Sequence, residues 1–160
     1  MNKLTRIAAV LGLSMIGAAA QAATAVGNFN VNITLTSKCE INSTNAATGA
    51  VITDLALPYT SFQTAASTSS TNFAVRCTTG LPFSMALDSA SVTDGLTGIA
   101  YTLALSASST HTATPAASLT GQTGVAAGTT YYVHGNIAAG LVGTTTAGTD
   151  NKQRTLTVTY

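Results

Sequence analysis

Apolar side chains recur at every second residue in one stretch after another, and this period restricts the chain to β-strands more than any other feature. The clearest case is "VGNFNVNITLT", residues 26–36. Phe29, Val31, Ile33 and Leu35 fall on one side of an extended ribbon, and Asn28, Asn30, Asn32 and Thr34 fall on the other. Cys39 and Ile41 continue the odd-numbered register after Thr36-Ser37-Lys38, so the spacing predicts two strands joined by a very short connector. The alternation returns at Phe73, Val75 and Cys77, at Phe83, Met85 and Leu87, at Tyr101, Leu103 and Leu105, and at Tyr131 and Val133. It closes the chain in "RTLTVTY", where Leu156, Val158 and Tyr160 are expected to point inward. No segment after the first 22 residues keeps a helical period over three turns.

Turn chemistry divides these runs. "TTGLP" is expected to join "TNFAVRC" to "LPFSMALDS" as a hairpin with Cys77 facing inward, and "DGLTG" marks a further turn. "NSTNAATG" reads as a loop, the end of "AVITDLAL" is fixed by Pro58, a polar loop runs through His111 and Pro115, and "AAGLVGTTTAGTDNK" is another loop. Six or seven strands at such intervals predict an all-β sandwich of immunoglobulin-like topology. Its expected ending is unusual, because the last strand faces inward with nothing after it to cover its neighbour.

The first 22 residues are expected to be a secretory signal that is removed. Lys3 and Arg6 form a basic start, "IAAVLGLSMIGAAA" an apolar stretch, and Ala20-Gln21-Ala22 a cleavage site. The apolar stretch is too short, and too soon followed by polar sequence, for a lasting membrane anchor. The mature chain then starts at Ala23 and is exported. Export places Cys39 and Cys77 in an oxidising compartment, and two cysteines allow one intramolecular disulfide. Closing a loop of that length stabilises a fold by about 4 kcal/mol in the chain-entropy description.

Charge narrows the choice of partner. Only 7% of the chain is charged, and losing Lys3 and Arg6 takes the formal net charge from +1 to −1. Lys38, Arg76, Lys152 and Arg154 are too scattered to form a basic patch, which argues against nucleic acid. A diffusing protein normally carries more charge than this. A surface of hydroxyls and amides suits a chain packed among copies of itself.

The side chains for catalysis are sparse. After the signal there are two histidines, His111 and His134, and five carboxylates, Glu40, Asp54, Asp88, Asp94 and Asp150. No G-x-S-x-G elbow, paired-carboxylate motif or phosphate-loop motif accompanies them. Both histidines read as structural, and the expectation is no catalytic residue, no metal, no cofactor and no small-molecule substrate. Two glycosylation sequons, Asn32-Ile33-Thr34 and Asn42-Ser43-Thr44, follow from the abundance of Asn and Thr.

Four motifs in order, "AVGNFNVNITLTSKCEI", "AVRCTTGLPF", "YYVHGNI" and "LTVTY", together resemble the major pilins of archaic chaperone-usher pili, the Csu-type subunits related to the spore coat protein U domain. The resemblance covers nearly all of the mature chain. The chain departs from the family at "ALPYTSF", at His134, and in "NKQRTLTVTY", which lacks an acidic residue before the last strand.

The resemblance implies an incomplete immunoglobulin-like sandwich over residues 38–160 that lacks its last strand and is completed by donor-strand complementation. The donor would be residues 23–35 of the next subunit, entering with Phe29, Val31, Ile33 and Leu35 beside a closing strand of Leu156, Val158 and Tyr160. Thr36, Ser37 and Lys38 would form the connector between subunits. The partners implied are identical subunits, a periplasmic chaperone that lends a temporary strand, and an outer-membrane usher. The location implied is the cell surface, and the role is attachment and biofilm growth. A ribbon with no added receptor-binding domain predicts a shaft subunit. The competing expectation is a secreted monomeric β-sandwich that binds carbohydrate or serves a spore-coat-like role.

Overall fold

Alternating residues become strands only where a neighbouring backbone can pair with them, and a computed structural model of the chain shows where that happens. It describes residues 25–42, 44, 45, 51–144, 147, 148 and 152–160. The expected signal, residues 1–22, lies outside these, as do Asp150 and most of the loop "NSTNAATG". The chain divides between Thr34 and Leu35 into two units, and the strands all belong to the second.

There are nine strands and no helix among the described residues: β1 (Cys39–Ile41), β2 (Thr44–Asn45), β3 (Ser67–Cys77), β4 (Pro82–Leu87), β5 (Ser91–Thr93), β6 (Ala100–Ser106), β7 (Ser118–Thr123), β8 (Thr129–Ile137) and β9 (Leu156–Thr159). They form a six-stranded sheet in the order β2-β1-β3-β8-β6-β5 and a three-stranded sheet in the order β7-β4-β9. Each ladder between these strands is antiparallel. The architecture is all-β with two sheets, consistent with a β-sandwich.

The core lies where the alternation predicts. Phe73, Val75 and Cys77 of β3, Leu103 and Leu105 of β6, and Tyr131 and Val133 of β8 are buried on one face of the larger sheet. Phe83, Met85 and Leu87 of β4 meet them from the smaller sheet and belong to the same apolar cluster. The Tyr131 ring links the layers: it stacks near Phe73 at 6.1 Å and takes Phe83 edge-on at 6.2 Å. Its hydroxyl donates to Gln122 Oε1 at 3.1 Å, which partners a polar atom at the core's edge. The Cys39–Cys77 disulfide forms, between residues directly opposite in the β1–β3 ladder.

Four expectations need correction. The segments around "TTGLP" do not make a hairpin: β3 pairs with β1 and β8, while β4 pairs with β7 and β9. The turn carries the chain from one sheet to the other, so the apolar faces oppose each other across the core. Alternation identifies a buried face, and two strands with the same pattern can be stacked as readily as paired. Secondly, the polar stretch before "TTYYVHGNI" contains β7, which presents one aliphatic side chain, Leu119, and shifts register against β4. Thirdly, Val51–Leu57 forms no strand although Ile52, Leu55 and Leu57 are half-buried. The segment packs on Gly135, where a Cβ would press on Leu55 Cδ2 and approach Leu57 Cδ1 to 3.0 Å. Thr71 Oγ1 also donates to the Thr53 carbonyl at 2.7 Å. Lastly, residues 25–38 carry no strand.

Gly124 shows how tightly the turn between the sheets is built. Its N–H donates to the Leu81 carbonyl at 2.7 Å, and its carbonyl accepts from Gly80 N–H at 3.0 Å. A Cβ at this position would collide with the Thr78 carbonyl and lie 2.8 Å from Cys77 Cβ, whereas one at Gly95 meets nothing within 4 Å. Backbone atoms cannot yield as a side-chain tip can. Gly124→Ala should therefore destabilise the protein by about 1–3 kcal/mol, and Gly95→Ala by less than about 0.5 kcal/mol, as read from urea unfolding of the purified protein.

Candidate functional site

Six strands on one side of a core and three on the other cannot cover equal areas. Part of the larger sheet's inner face therefore opens into a groove of about 1710 Å³. Leu103, Val133 and Ile137 form its floor, Leu87 and Leu156 come from the smaller sheet, and Leu55 and Leu57 close one side. Ile41 and Tyr101 extend the apolar lining. The volume exceeds that of a small-molecule pocket, commonly about 300–1,000 Å³, and matches an extended segment of chain better.

The groove borders a strand edge. β9 pairs with β4 on one side, from Leu87↔Leu156 to Ser84↔Thr159, and has no strand on its other side among the described residues. Gln153, Arg154, Thr155 and Leu156 all line the groove where β9 begins. Arg154 Nε lies 3.2 Å from Asp88 Oδ1 and makes no hydrogen bond, so their attraction is ionic. An edge of this kind offers unpaired N–H and carbonyl groups beside a groove with an apolar floor and a rim that includes Asp54, Asp94, Lys152 and Arg154.

The expected donor residues have the opposite character. In the first unit, Phe29 is 84% exposed, Val31 69% and Ile33 87%, and in the second Leu35 is 79% exposed. Of the expected closing strand, Leu156 lines the groove and Val158 packs against the core. Tyr160 lies beyond the end of β9 and is 56% exposed. In the expected connector, Thr36 and Ser37 are exposed, whereas Lys38 is part of the domain. Its N–H donates to Thr78 Oγ1 at 3.1 Å, and its carbonyl accepts from Thr78 N–H at 3.0 Å.

The histidines are engaged on the other face of the larger sheet. His134 is buried in β8, with Nδ1 2.7 Å from Ser70 Oγ and Nε2 3.0 Å from the Ser108 carbonyl. Nε2 must carry the proton to reach a carbonyl, so Nδ1 accepts from the serine hydroxyl. His111 Nε2 lies 3.1 Å from the Gly135 carbonyl, and the two rings meet edge-on at 5.3 Å. These contacts pin the loop after β6 onto β8. Among the described residues, no three of His, Cys, Asp and Glu gather as metal ligands would.

Sequence reading missed a charge cluster beside the disulfide. Glu40 takes Lys38 Nζ on Oε1 and an Arg76 guanidinium nitrogen on Oε2, each at 2.6 Å. These hydrogen bonds, Lys38's first and Arg76's second, hold the Glu40 carboxyl below the ordinary glutamate range against the opposing effect of desolvation. The pattern was visible only in part: Lys38 and Glu40 share a strand face at i, i+2, but Arg76 joins them through the β1–β3 register, Glu40↔Arg76.

No family model, curated protein or solved structure matches the chain.

Because the folded carboxyl titrates below its unfolded counterpart, its contribution to stability is complete above the ordinary glutamate range and is lost as pH falls through the lowered value. The protein should exceed Glu40→Gln in stability at neutral pH. That difference should shrink to nothing on acidification, as checked by unfolding midpoints measured across acid pH.

Proposed function

We propose that this protein is a structural shaft subunit of a surface pilus, exported and assembled by a chaperone and an outer-membrane usher through donor-strand exchange. The observation that carries this reading is a complementary pair of surfaces: a groove with an apolar floor beside a one-sided strand edge, and a ribbon whose apolar side chains alternate and lie exposed. In this reading the sheets are an immunoglobulin-like sandwich one strand short, and the ribbon of the next copy supplies that strand.

The energetics support it. Burying Phe29, Val31, Ile33 and Leu35 at about 1.5–3 kcal/mol each gives a drive on the order of 10 kcal/mol before ordering costs. The added strand also satisfies the outer edge of β9 by β-augmentation. A groove left open would leave a bare strand edge beside half-buried apolar walls, which is why a chaperone would lend a temporary strand. The resemblance of the four sequence motifs to archaic pilins suggests the specific assignment, and with it attachment and biofilm growth as the role of the fibre.

Deletion of residues 23–35 tests the reading. Co-expressed with its chaperone, the shortened chain should fold yet give no polymer, whereas the full chain run unboiled on a denaturing gel should give a ladder. A single full-length monomer band would favour the secreted monomeric sandwich instead. Ile33→Asp should reduce the ladder by more than about tenfold, since a buried unpaired carboxylate costs several kcal/mol.

A further inference from the structure

The domain has two poles, and each carries an unusual feature. β3 and β8 run antiparallel along its length, Ser67 opposite Ile137 at one end and Val75 opposite Thr129 toward the other. The chain comes in at the second end, where Lys38, Cys39, Cys77 and Thr78 are bonded together. This is the proximal pole. The loops before β3 and after β8 form the distal pole.

At the distal pole a phenylalanine is displayed. Phe62 is 70% exposed and has φ +65°, in the left-handed region that a bulky side chain adopts at a cost of about 1–2 kcal/mol. The fold holds it there firmly. Phe62 N–H donates to the Leu141 carbonyl at 2.9 Å, Leu141 N–H to Tyr59 Oη at 2.7 Å, Gly140 N–H to the Gln63 carbonyl at 2.9 Å, and Ser61 Oγ to the Val142 carbonyl at 2.6 Å. Two loops are thus clamped into one rigid tip with Phe62 and Val142, 53% exposed, on its surface.

The proximal pole carries a recess of about 260 Å³, lined by Lys38, Glu40, Arg76, Cys77, Thr78 and Ala126. Its scale is that of one aromatic side chain. Lys38 and Arg76, with long aliphatic stems, and the small Ala126 give it apolar character beside the disulfide-bonded Cys77. Glu40 neutralises one of the two cations, so the recess keeps a net positive charge, which favours the face of an aromatic ring.

Strand direction brings the two features together, provided that subunits exchange donor strands as proposed above. β4 begins at Pro82, just past the proximal turn, and β9 runs against it, toward the proximal pole. A ribbon joining β9 antiparallel, as the other ladders of that sheet are, enters at the proximal pole and emerges at the distal one. Leu35 of the donor then leaves the groove beside Phe62 of the acceptor. Three Cα steps separate Leu35 from Lys38, which is already bonded into the donor's domain, so the gap is at most about 10 Å. The parallel alternative would crowd both neighbours of a subunit onto one pole.

We propose that Phe62 of each subunit seats in the Lys38–Arg76–Ala126 recess of the subunit whose ribbon it holds, a second contact between neighbours in the fibre. The contact is heterologous, as an open polymer requires. It fixes the angle between neighbours that the connector alone would leave loose.

The test uses assembled fibres in which Phe62 is replaced by p-benzoylphenylalanine, which keeps an aromatic ring at the tip and forms covalent cross-links on irradiation. The unboiled ladder should match that of the unsubstituted chain. After irradiation, reduction and boiling, a ladder should persist only in the substituted sample, with cross-links mapping to Thr78 or Ala126 of a neighbour. The same probe at Ala126 should link to the Phe62 loop and reports the contact even where the first variant assembles poorly. Unboiled ladders that collapse to monomer after irradiation and boiling, or cross-links to any other surface, would overturn the second contact and leave donor-strand exchange standing. Absence of the unboiled ladder in the unsubstituted chain would defeat both.

Discussion

The packing of a wide sheet against a narrow one governs the rest of the molecule. Phe73, Tyr131 and Phe83 lock the two layers at one place, and around them the core closes normally. Away from that lock the larger sheet continues and the smaller one stops. Leu103, Val133 and Ile137 are built as core residues, yet they face a groove. They remain almost wholly buried all the same, so the groove bares its half-buried walls and rim more than its floor.

The irregular segment 51–59 partly compensates. It lies against Gly135, with the ends of Leu55 and Leu57 close to the position a Cβ would take, and Thr71 bonds its backbone. It covers the larger sheet without adding a ladder, so it leaves the edge of β9 open. A regular strand in its place would have to compete for backbone partners.

The sequence revealed faces better than neighbours. Phe73–Cys77, Phe83–Leu87, Leu103–Leu105 and Tyr131–Val133 were readable as inward-facing because a half-buried strand must alternate. Their pairing was not readable: the same pattern serves a strand beside its neighbour or across the core from it, and the short turn at residues 78–81 suggested the wrong one. β7 was hidden because Leu119 is its one aliphatic side chain, and β5 because three residues are too few to show a period. The groove was not readable from any local pattern, because its walls come from segments far apart in the chain. The Glu40 cluster and the Phe62 tip depend on contacts 36 and 79 residues apart, beyond the reach of any local pattern.

The disulfide has a mechanical side. Cys39 follows directly on Lys38, where the chain joins the domain, and its partner Cys77 ends the 11-residue strand β3 inside the larger sheet. Tension applied to the leading segment passes through one covalent bond into a strand held on both flanks. It therefore cannot peel β1, three residues long, away from its neighbours one hydrogen bond at a time. Load is spread along β3 in shear, the direction in which a ladder resists because all its bonds must yield together.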